Sequence, residues 1–308
     1  MKKLFIGILL LLLPAVSSCT FQEEAFVNRP GDDKPIVAAT IFPLADLVKQ
    51  LGGDAIRVVT LLPAGASPHT YEPTPKEMKA VSEAGLLVSI GAGLDVWGQK
   101  LIQAAGDGVP EVVIAEGLEL LPMRDHHHGE EYHHEEHGDP HVWLDPVLVR
   151  EEIAPRLAEA LMERWPVLAD SIRVNLAEFQ RELEELDREF RQGLASCPER
   201  QFISFHATWG YLAHRYGLEE IASVLEYPGQ EPSARWLAKL TDLAGAEGVR
   251  VLIIEPQFNP QPGELVAGEI GGKVFVMDPL GGEGIEGRDS YLQLMRYNLA
   301  VLKEALGS

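Results

Sequence analysis

The amino-acid sequence predicts an α/β protein with two lobes, each built on a parallel-rich sheet flanked by helices, joined by one long connecting helix. Two runs of the chain alternate short β-branched segments with amphipathic stretches. The short segments are continuously apolar, which is typical of parallel strands covered on both faces. One long helical pattern separates the two runs. With 308 residues, the chain is long enough for two domains of ordinary size.

The first 34 residues are not expected to belong to this fold. Two lysines precede an apolar run at 4–13, which is shorter than the roughly 20 residues that span a bilayer. Small residues then lead to a cysteine, so residues 1–19 resemble a bacterial lipoprotein signal. This resemblance implies cleavage before Cys19 and lipidation of its thiol; an ordinary secretory signal is the alternative. Residues 20–34 are polar and aperiodic, and we interpret them as a tether.

The N-terminal lobe is predicted over residues 35–165 and the C-terminal lobe over residues 194–308. In the first lobe, strands are predicted at Pro35–Ile41, Ile56–Leu62, Leu86–Ile90 and Glu111–Ala115, with helices near Leu44–Leu51, Pro75–Ala84 and Val96–Ala105. In the second lobe, strands are predicted at Gln201–Phe205, Ile221–Leu225, Val249–Ile254 and Lys273–Met277, with helices near Ala207–Tyr216, Ala234–Ala244, Glu264–Ile270 and Tyr291–Leu306. This repeated alternation predicts two parallel sheets.

The connecting helix is predicted over residues 166–193. Apolar residues recur there at spacings of three and four, which predicts one apolar stripe along a helix: Ile172, Leu176, Phe179, Leu183, Leu186 and Phe190. Asp170 or Ser171 can cap its start, and Gly193 can end it. At 1.5 Å per residue the helix is roughly 35 Å long. A coiled-coil arm is the alternative, but the position between two α/β runs favours a rigid spine.

The composition limits the classes of partner. The formal charge of −21 argues against nucleic acid and raises the local concentration of cations. Cys197 is the only cysteine after Cys19, so the mature chain can form no internal disulfide and has almost no thiolate to offer a metal.

The segment 125–139 is rich in histidine. Seven of the ten histidines of the chain lie between positions 126 and 141: His126, His127, His128, His133, His134, His137 and His141. Imidazole is the commonest protein ligand for zinc and related metals, so the sequence predicts metal binding. We interpret the first six as a mobile loop that collects metal, and His141 as a residue of the ordered fold.

Four potential metal ligands fall at or beyond the carboxyl ends of predicted strands, where open parallel sheets bind ligands. They are His69, His141, His206 and Asp278, with Glu255 as a reserve carboxylate. Three histidines and one carboxylate suit tetrahedral zinc. Each residue also has a purely structural interpretation. His69 could be a solvated loop residue and His141 a helix cap. His206 could be a core histidine and Asp278 a turn former. Their common location at strand ends favours a shared site.

At these positions the chain resembles the metal-binding solute-binding lipoproteins of ABC importers, in their zinc branch. The resemblance covers the mature chain and rests on five segments: Pro-His-Thr-Tyr-Glu-Pro (68–73), Asp-Pro-His-Val-Trp-Leu-Asp-Pro (139–146), His206 with Ala-Thr-Trp-Gly-Tyr (207–211), Glu-Pro-Gln-Phe (255–258) and Asp-Pro-Leu-Gly (278–281). It implies an extracytoplasmic monomer, anchored through lipid on Cys19, that holds Zn²⁺ between its lobes and delivers it to an ABC permease in the membrane.

Two alternatives concern the metal and the chemistry. In manganese-binding members a carboxylate commonly stands where this chain has His206, and nitrogen donors favour zinc. The fourth ligand varies among members, so Asp278, Glu255 and water all remain candidates, and the disulfide of some zinc members is absent.

A zinc hydrolase is the alternative from another class. No His-Glu-x-x-His occurs, because His134-Glu-Glu-His137 is one residue short, so we expect no enzyme activity. A surface adhesin on the same fold is a third hypothesis.

Overall fold

The computed structural model describes residues 34–106, 108–123, 138–226 and 229–307, and Lys34–Ser308 form one compact unit. The predicted signal with Cys19, the tether up to residue 33, and the loop histidines 126, 127, 128, 133, 134 and 137 lie outside the described residues. Within the described part of the chain, every helix is too short or too polar to cross a bilayer.

The first sheet has four parallel strands in the order β2-β1-β3-β4. The strands are β1 (Ile36–Ala39), β2 (Arg57–Thr60), β3 (Leu86–Ser89) and β4 (Glu111–Val113). The helices α1 (Phe42–Gly52), α2 (Pro75–Glu83) and α3 (Val96–Ala105) connect them. The centre of the sheet is almost fully buried, as the continuous apolar sequence of β1 and β3 predicts.

The chain then runs through a helical segment into the spine. After a short 3-10 turn at Val142–Leu144 come α4 (Pro146–Leu148), one π-helical turn (Val149–Ile153) and α5 (Ala154–Arg164). The spine itself is α6 (Ala169–Leu194), 26 residues long. Its apolar stripe is buried at Ile172, Phe179, Leu183, Leu186 and Phe190, as the three-and-four spacing predicts.

The second sheet repeats the topology of the first, with four parallel strands in the order β6-β5-β7-β8. The strands are β5 (Gln201–Ser204), β6 (Glu219–Ser223), β7 (Val251–Ile254) and β8 (Lys273–Val276). The helices are α7 (Gly210–Tyr216), α8 (Ala234–Glu247), α9 (Gln261–Glu269) and α10 (Tyr291–Leu306). The predicted fold class, two parallel sheets with flanking helices and a long helix, is confirmed.

The main hydrophobic core extends through both lobes. The spine α6 packs against α1 and α5 of the first lobe and against α10 and α7 of the second. One buried cluster therefore contains Leu44 of the first lobe, Phe190 of the spine and Leu302 of the second lobe. A separate cluster lies on the other face of the second sheet. The shared core makes the spine a structural part of both lobes.

The predicted ends of the spine are wrong in detail. The helix begins after a 3-10 turn with no side-chain cap, because Asp170 pairs with Arg173 and Ser171 donates to the carbonyl of Leu168. Gly193 lies inside the helix and does not end it. A Cβ there would come within 3.2 Å of Leu299 and Lys303 of α10, so this glycine permits a close approach of two helices.

Several element boundaries also differ from the prediction. Strand β6 is Glu219–Ser223 and not Ile221–Leu225, because a buried glutamate, Glu220, lies within it. Helix α7 begins only at Gly210, which leaves Ala207–Trp209 as a turn behind His206. A charged residue in a strand contradicts the average preferences on which such predictions depend.

Candidate metal centre

His69 lies in the loop between β2 and α2. The indole Nε1 of Trp97 donates a hydrogen bond of 3.0 Å to the carbonyl of Pro68, the residue before the histidine. The ring of Tyr71 packs edge-on against Trp97, with centroids 5.0 Å apart. These contacts fix the loop from within the first lobe. The Nε2 atom of His69 is buried and has no hydrogen-bond partner among the described residues.

His141 lies at the start of the turn that leads into α4, and its orientation is set by Asp139. The Oδ1 atom of Asp139 lies 2.7 Å from the Nδ1 atom of His141 and accepts a hydrogen bond from the backbone N–H of the same histidine. A carboxylate can only accept here, so Nδ1 carries the proton and Nε2 presents its lone pair. Carboxylate partners of this kind are typical of histidines that bind metal.

His206 follows β5 and supplies a group from the second lobe. The ring is buried, with 7% of the residue exposed. Strands β5 and β7 are neighbours in the sheet. The chain leaves β5 towards β6 at one edge and leaves β7 towards β8 at the other edge. The crevice between the carboxyl ends of β5 and β7 is therefore the usual ligand position in such a sheet.

The three histidines converge from the two lobes. Their ring centroids lie 4.8 Å apart for His69 and His206, 5.2 Å for His141 and His206, and 5.5 Å for His69 and His141. One ring nitrogen of each lies within 4.8 Å of the other two. Ligand nitrogens of a tetrahedral zinc ion are about 3.3 Å apart, given Zn–N bonds of about 2.0–2.1 Å. Small side-chain movements therefore bring these nitrogens to coordination distance.

The site keeps the imidazoles of His69 and His206 neutral. Burial, followed by the nearby His141, lowers the pKa of His69 to about 3. Burial, together with the other two histidines, also lowers the pKa of His206 well below its ordinary value. Metal ions bind only the neutral imidazole, so at pH 7 neither ring needs to lose a proton first.

The cavity among the histidines is small. It measures about 20 Å³ and is lined by both lobes, including Ser67 and Trp143 of the first and Thr208, Gln257 and Leu280 of the second. A single water needs at least roughly 10–15 Å³ of such space. The site therefore has room for an ion and at most one small further ligand, and not for an organic substrate.

Asp278 is not among the grouped ligand atoms. Its Oδ1 atom accepts hydrogen bonds from Gln257 Nε2 at 3.1 Å and from the backbone N–H groups of Leu280 and Gly281, each at 3.0 Å. Its Oδ2 atom accepts from Arg288 at 2.9 Å. Both oxygens are thus engaged in a buried network. To act as the fourth ligand, which stays a prediction, Asp278 must give up part of these bonds.

Glu255, the reserve carboxylate, is buried behind His206 and is not in the group either. Its Oε1 atom accepts a hydrogen bond of 3.2 Å from the indole of Trp209. Burial, and then the charge of Glu220, raise the pKa of Glu255 well above its ordinary range. A carboxyl group that holds its proton is a poor ligand for a cation.

Sequence reasoning missed two residues that position the histidines. Asp139 appears above only within the segment 139–146, although an acidic residue two positions before a histidine, with a proline between, is an available signal. Trp97 had no signal, because its contact with Pro68 spans 29 residues of chain and depends on how α3 packs.

Comparison with known proteins gives one consistent result. The chain is 33% identical over 288 residues to the high-affinity zinc uptake system protein ZnuA of Bacillus subtilis, covering 89% of this chain and 88% of that protein. It is 30% identical over 313 residues to the zinc-binding lipoprotein AdcA of Streptococcus pneumoniae, covering 99% of this chain. The chain spans only 61% of the length of AdcA.

A solved structure of a ZnuA deletion mutant with zinc bound is similar at a TM-score of 0.78 and 33% identity, covering 90% of this chain and 99% of that chain. The family described as ZnuA, zinc-uptake complex component A, periplasmic, matches residues 37–305. Because this match takes in nearly all of the folded chain, the protein belongs to the ZnuA family of periplasmic zinc-uptake components.

Proposed function

We propose that this protein captures Zn²⁺ between its two lobes and delivers it to an ABC-type permease. The observation that carries the proposal is the convergence of His69, His141 and His206, two from one lobe and one from the other. A metal ion held by all three ties the lobes together. The loaded form then differs from the empty form at the lobe junction, where a permease can distinguish them.

Zinc is favoured over manganese by the donor set. Three neutral nitrogen donors suit a borderline-soft ion, whereas manganese prefers oxygen. The predicted carboxylate ligand, Asp278, is paired with Arg288. The AdcA relative is described as a zinc-binding lipoprotein, and the ZnuA relative as a protein of a high-affinity zinc uptake system.

The site does not support the alternative of a zinc hydrolase. Catalytic zinc needs an open position for water and a nearby general base beside a substrate cleft. The cavity here is too small for an organic substrate. The matching family is described as a periplasmic component of a zinc-uptake complex, a description that names no reaction. We therefore infer that the protein has no catalytic activity.

We further propose that the chain works outside the cytoplasm, as a monomer, attached to the membrane by lipid on Cys19. The family description places its members in the periplasm, and one relative is described as a lipoprotein. The predicted signal at 1–19 is the part of this chain that supports anchoring.

The histidines of the loop 125–139 add weak sites that collect zinc for the central one. Deletion of 126–137 should lower total zinc stoichiometry and leave the tight site in place.

The experiment is metal analysis of protein purified without added metal, followed by titration against a zinc chelator. We expect one tightly held zinc per chain that a large excess of Mn²⁺ does not displace. His69→Ala, His141→Ala and His206→Ala should each weaken the tight site by at least about 100-fold, since even the outer partners of ligands account for about 10–100-fold. His214→Ala, on the exposed face of α7, is the matched control. Tight binding that survives all three substitutions would refute the proposal.

A further inference from the structure

The turn that carries His141, residues 139–145, comes from the first lobe by its place in the chain, yet it is bonded to the second lobe. The indole Nε1 of Trp143 donates a hydrogen bond of 2.8 Å to the carbonyl of Pro279, in the loop after β8. The carbonyl of Trp143 accepts a bond of 2.7 Å from the hydroxyl of Tyr291, the first residue of α10. Both aromatic residues are fully buried. The second lobe therefore holds Trp143 at two points.

The end of the same turn is held by an ion pair. Arg215 of α7 binds both carboxylate oxygens of Asp145, with N–O distances of 2.7–2.9 Å. Asp145 is buried and also accepts a hydrogen bond of 2.9 Å from the backbone N–H of Val147 at the start of α4. A bidentate pair of this kind fixes direction as well as distance. Because Arg215 and His206 belong to the same β5–α7 unit, the pair joins the segments of two of the three histidines.

The start of the turn also touches the second lobe. A Cβ added to Gly210, the first residue of α7, would lie 2.7 Å from Asp139 Oδ2, so the helix and the turn are in close contact there. The other carboxylate oxygen of Asp139 orients His141. Among the described residues, the hydrogen bonds that involve a side chain and join 139–145 to distant parts of the chain all lead to the second lobe.

His69 has a separate support. Its loop is fixed within the first lobe, through the bond from the indole of Trp97 to the carbonyl of Pro68. His141 and His206, with ring centroids 5.2 Å apart, instead form a pair whose spacing is set by contacts with the second lobe. Selectivity among metal ions depends on the size of the cavity and on the geometry and flexibility of the ligands. A pair of histidines with fixed spacing therefore favours ions of one size.

We propose that Trp143, Tyr291 and Arg215 are positioning residues that determine metal specificity. They fix the spacing of His141 and His206 and thereby favour zinc over a larger ion of the same charge, such as Cd²⁺. The inference rests on the proposed zinc-binding function. A larger ion forms longer bonds to nitrogen, so it must push the two histidines apart against the ion pair and the hydrogen bonds of Trp143. Supporting contacts of this kind hold a site close to one productive geometry.

The test measures the affinities for Zn²⁺ and Cd²⁺ separately by chelator competition, with substoichiometric metal so that the tightest site fills first. The unmodified protein should prefer zinc. Tyr291→Phe removes one oxygen and leaves the carbonyl of Trp143 without this donor. We expect zinc affinity to fall by about 10–100-fold, the usual effect of losing an outer contact at a metal site. Cadmium affinity should fall less, because the relaxed pair of histidines no longer resists the larger ion. The preference for zinc therefore shrinks.

Arg215→Gln and Trp143→Phe release the other contacts and should shift the preference in the same direction. The controls make matched changes away from the turn. In Trp236→Phe, the lost indole is buried and donates to two backbone carbonyls of the second lobe, at 3.0 and 3.1 Å. In Tyr297→Phe, the lost hydroxyl donates to the carbonyl of Val276 at 3.0 Å. Both controls should lower the thermal midpoint and leave the ratio of the two metal affinities unchanged.

The inference is overturned if Tyr291→Phe and Arg215→Gln keep the full preference for zinc, or if Trp236→Phe reduces this preference as much as they do. Tyr291→Phe is the mildest of the three changes and decides the question alone if the other variants do not fold. These results leave the histidine site intact. In contrast, absence of tight, histidine-dependent zinc binding in the unmodified protein would overturn the proposed function itself.

Discussion

At the scale of single residues, Asp139 prepares His141 for metal binding. Its Oδ1 atom holds Nδ1 of the ring at 2.7 Å, which fixes both the tautomer and the plane of the imidazole. Asp139→Asn removes the charge and keeps the shape. We expect zinc affinity to fall by about 10–100-fold, with little change in the thermal midpoint of the metal-free protein. Calorimetric zinc titration measures this, and an unchanged affinity would show that Asp139 has only a structural role.

The buried histidines also make the metal-free protein sensitive to acid. The pKa of His69 is 6.5 in an unfolded chain and about 3 in the folded one, so the unfolded chain binds more protons between these values. Stability is therefore fully present above pH 6.5 and is lost as the pH falls towards 3. The thermal midpoint of the metal-free protein should fall between pH 6.5 and 5. His69→Gln should show a shallower fall, and an equal slope in both proteins would contradict this assignment.

The sequence selected His69 and His206 because they come after strands, and His141 because it lies beyond the last strand of the first lobe; strand ends gather at one edge of a parallel sheet. The same argument selected Asp278, which does follow β8. It could not show that Arg288, ten residues later, returns to pair with this carboxylate. That contact depends on the conformation of a glycine-rich loop, which has no periodicity to analyse.

At the scale of elements, the contact between α6 and α10 depends on Gly193. A Cβ at this position would lie 3.1 Å from Lys303 and 3.2 Å from Leu299. Gly193→Leu should therefore destabilise the protein by about 1–3 kcal/mol, the usual cost of overpacking. Gly245→Ala is the matched control, since this glycine lies in α8 with open space around it. It should stabilise by about 0.5–1 kcal/mol. Urea denaturation measures the free energy of unfolding of both variants. A change of the same sign in the two variants would refute the close-approach argument.

Hydrophobic periodicity predicts well where the helices and strands lie, but it predicts poorly the residues at which they begin and end. The stripe of α6 is visible because six apolar residues repeat along it. Its ends depend on a 3-10 turn and on a glycine whose role is set by another helix. The two-residue shift of β6 has a similar cause, since Glu220 is buried by tertiary packing against the preference of its residue type.

At the scale of the whole molecule, the lobes are joined by direct contacts that involve no metal. Arg215 of the second lobe binds both carboxylate oxygens of Asp145 at 2.8–2.9 Å. The indole of Trp143 donates to the carbonyl of Pro279 at 2.8 Å, and the hydroxyl of Tyr291 donates to the carbonyl of Trp143 at 2.7 Å. Together with the shared core around α6, these contacts limit hinge motion.

We therefore expect zinc to cause only small adjustments of loops and side chains. Small-angle X-ray scattering profiles of the protein with and without zinc should superimpose. A clear decrease in the radius of gyration on adding zinc would show that the lobes open and close around the site.

The most direct test of the central claim is anomalous diffraction at the zinc absorption edge from crystals of the zinc-loaded protein. We expect one strong peak per molecule, with Zn–N bonds of about 2.0–2.1 Å to His69, His141 and His206. A peak located elsewhere in the folded molecule, or a zinc ion bonded to histidines of only one lobe, would contradict the account.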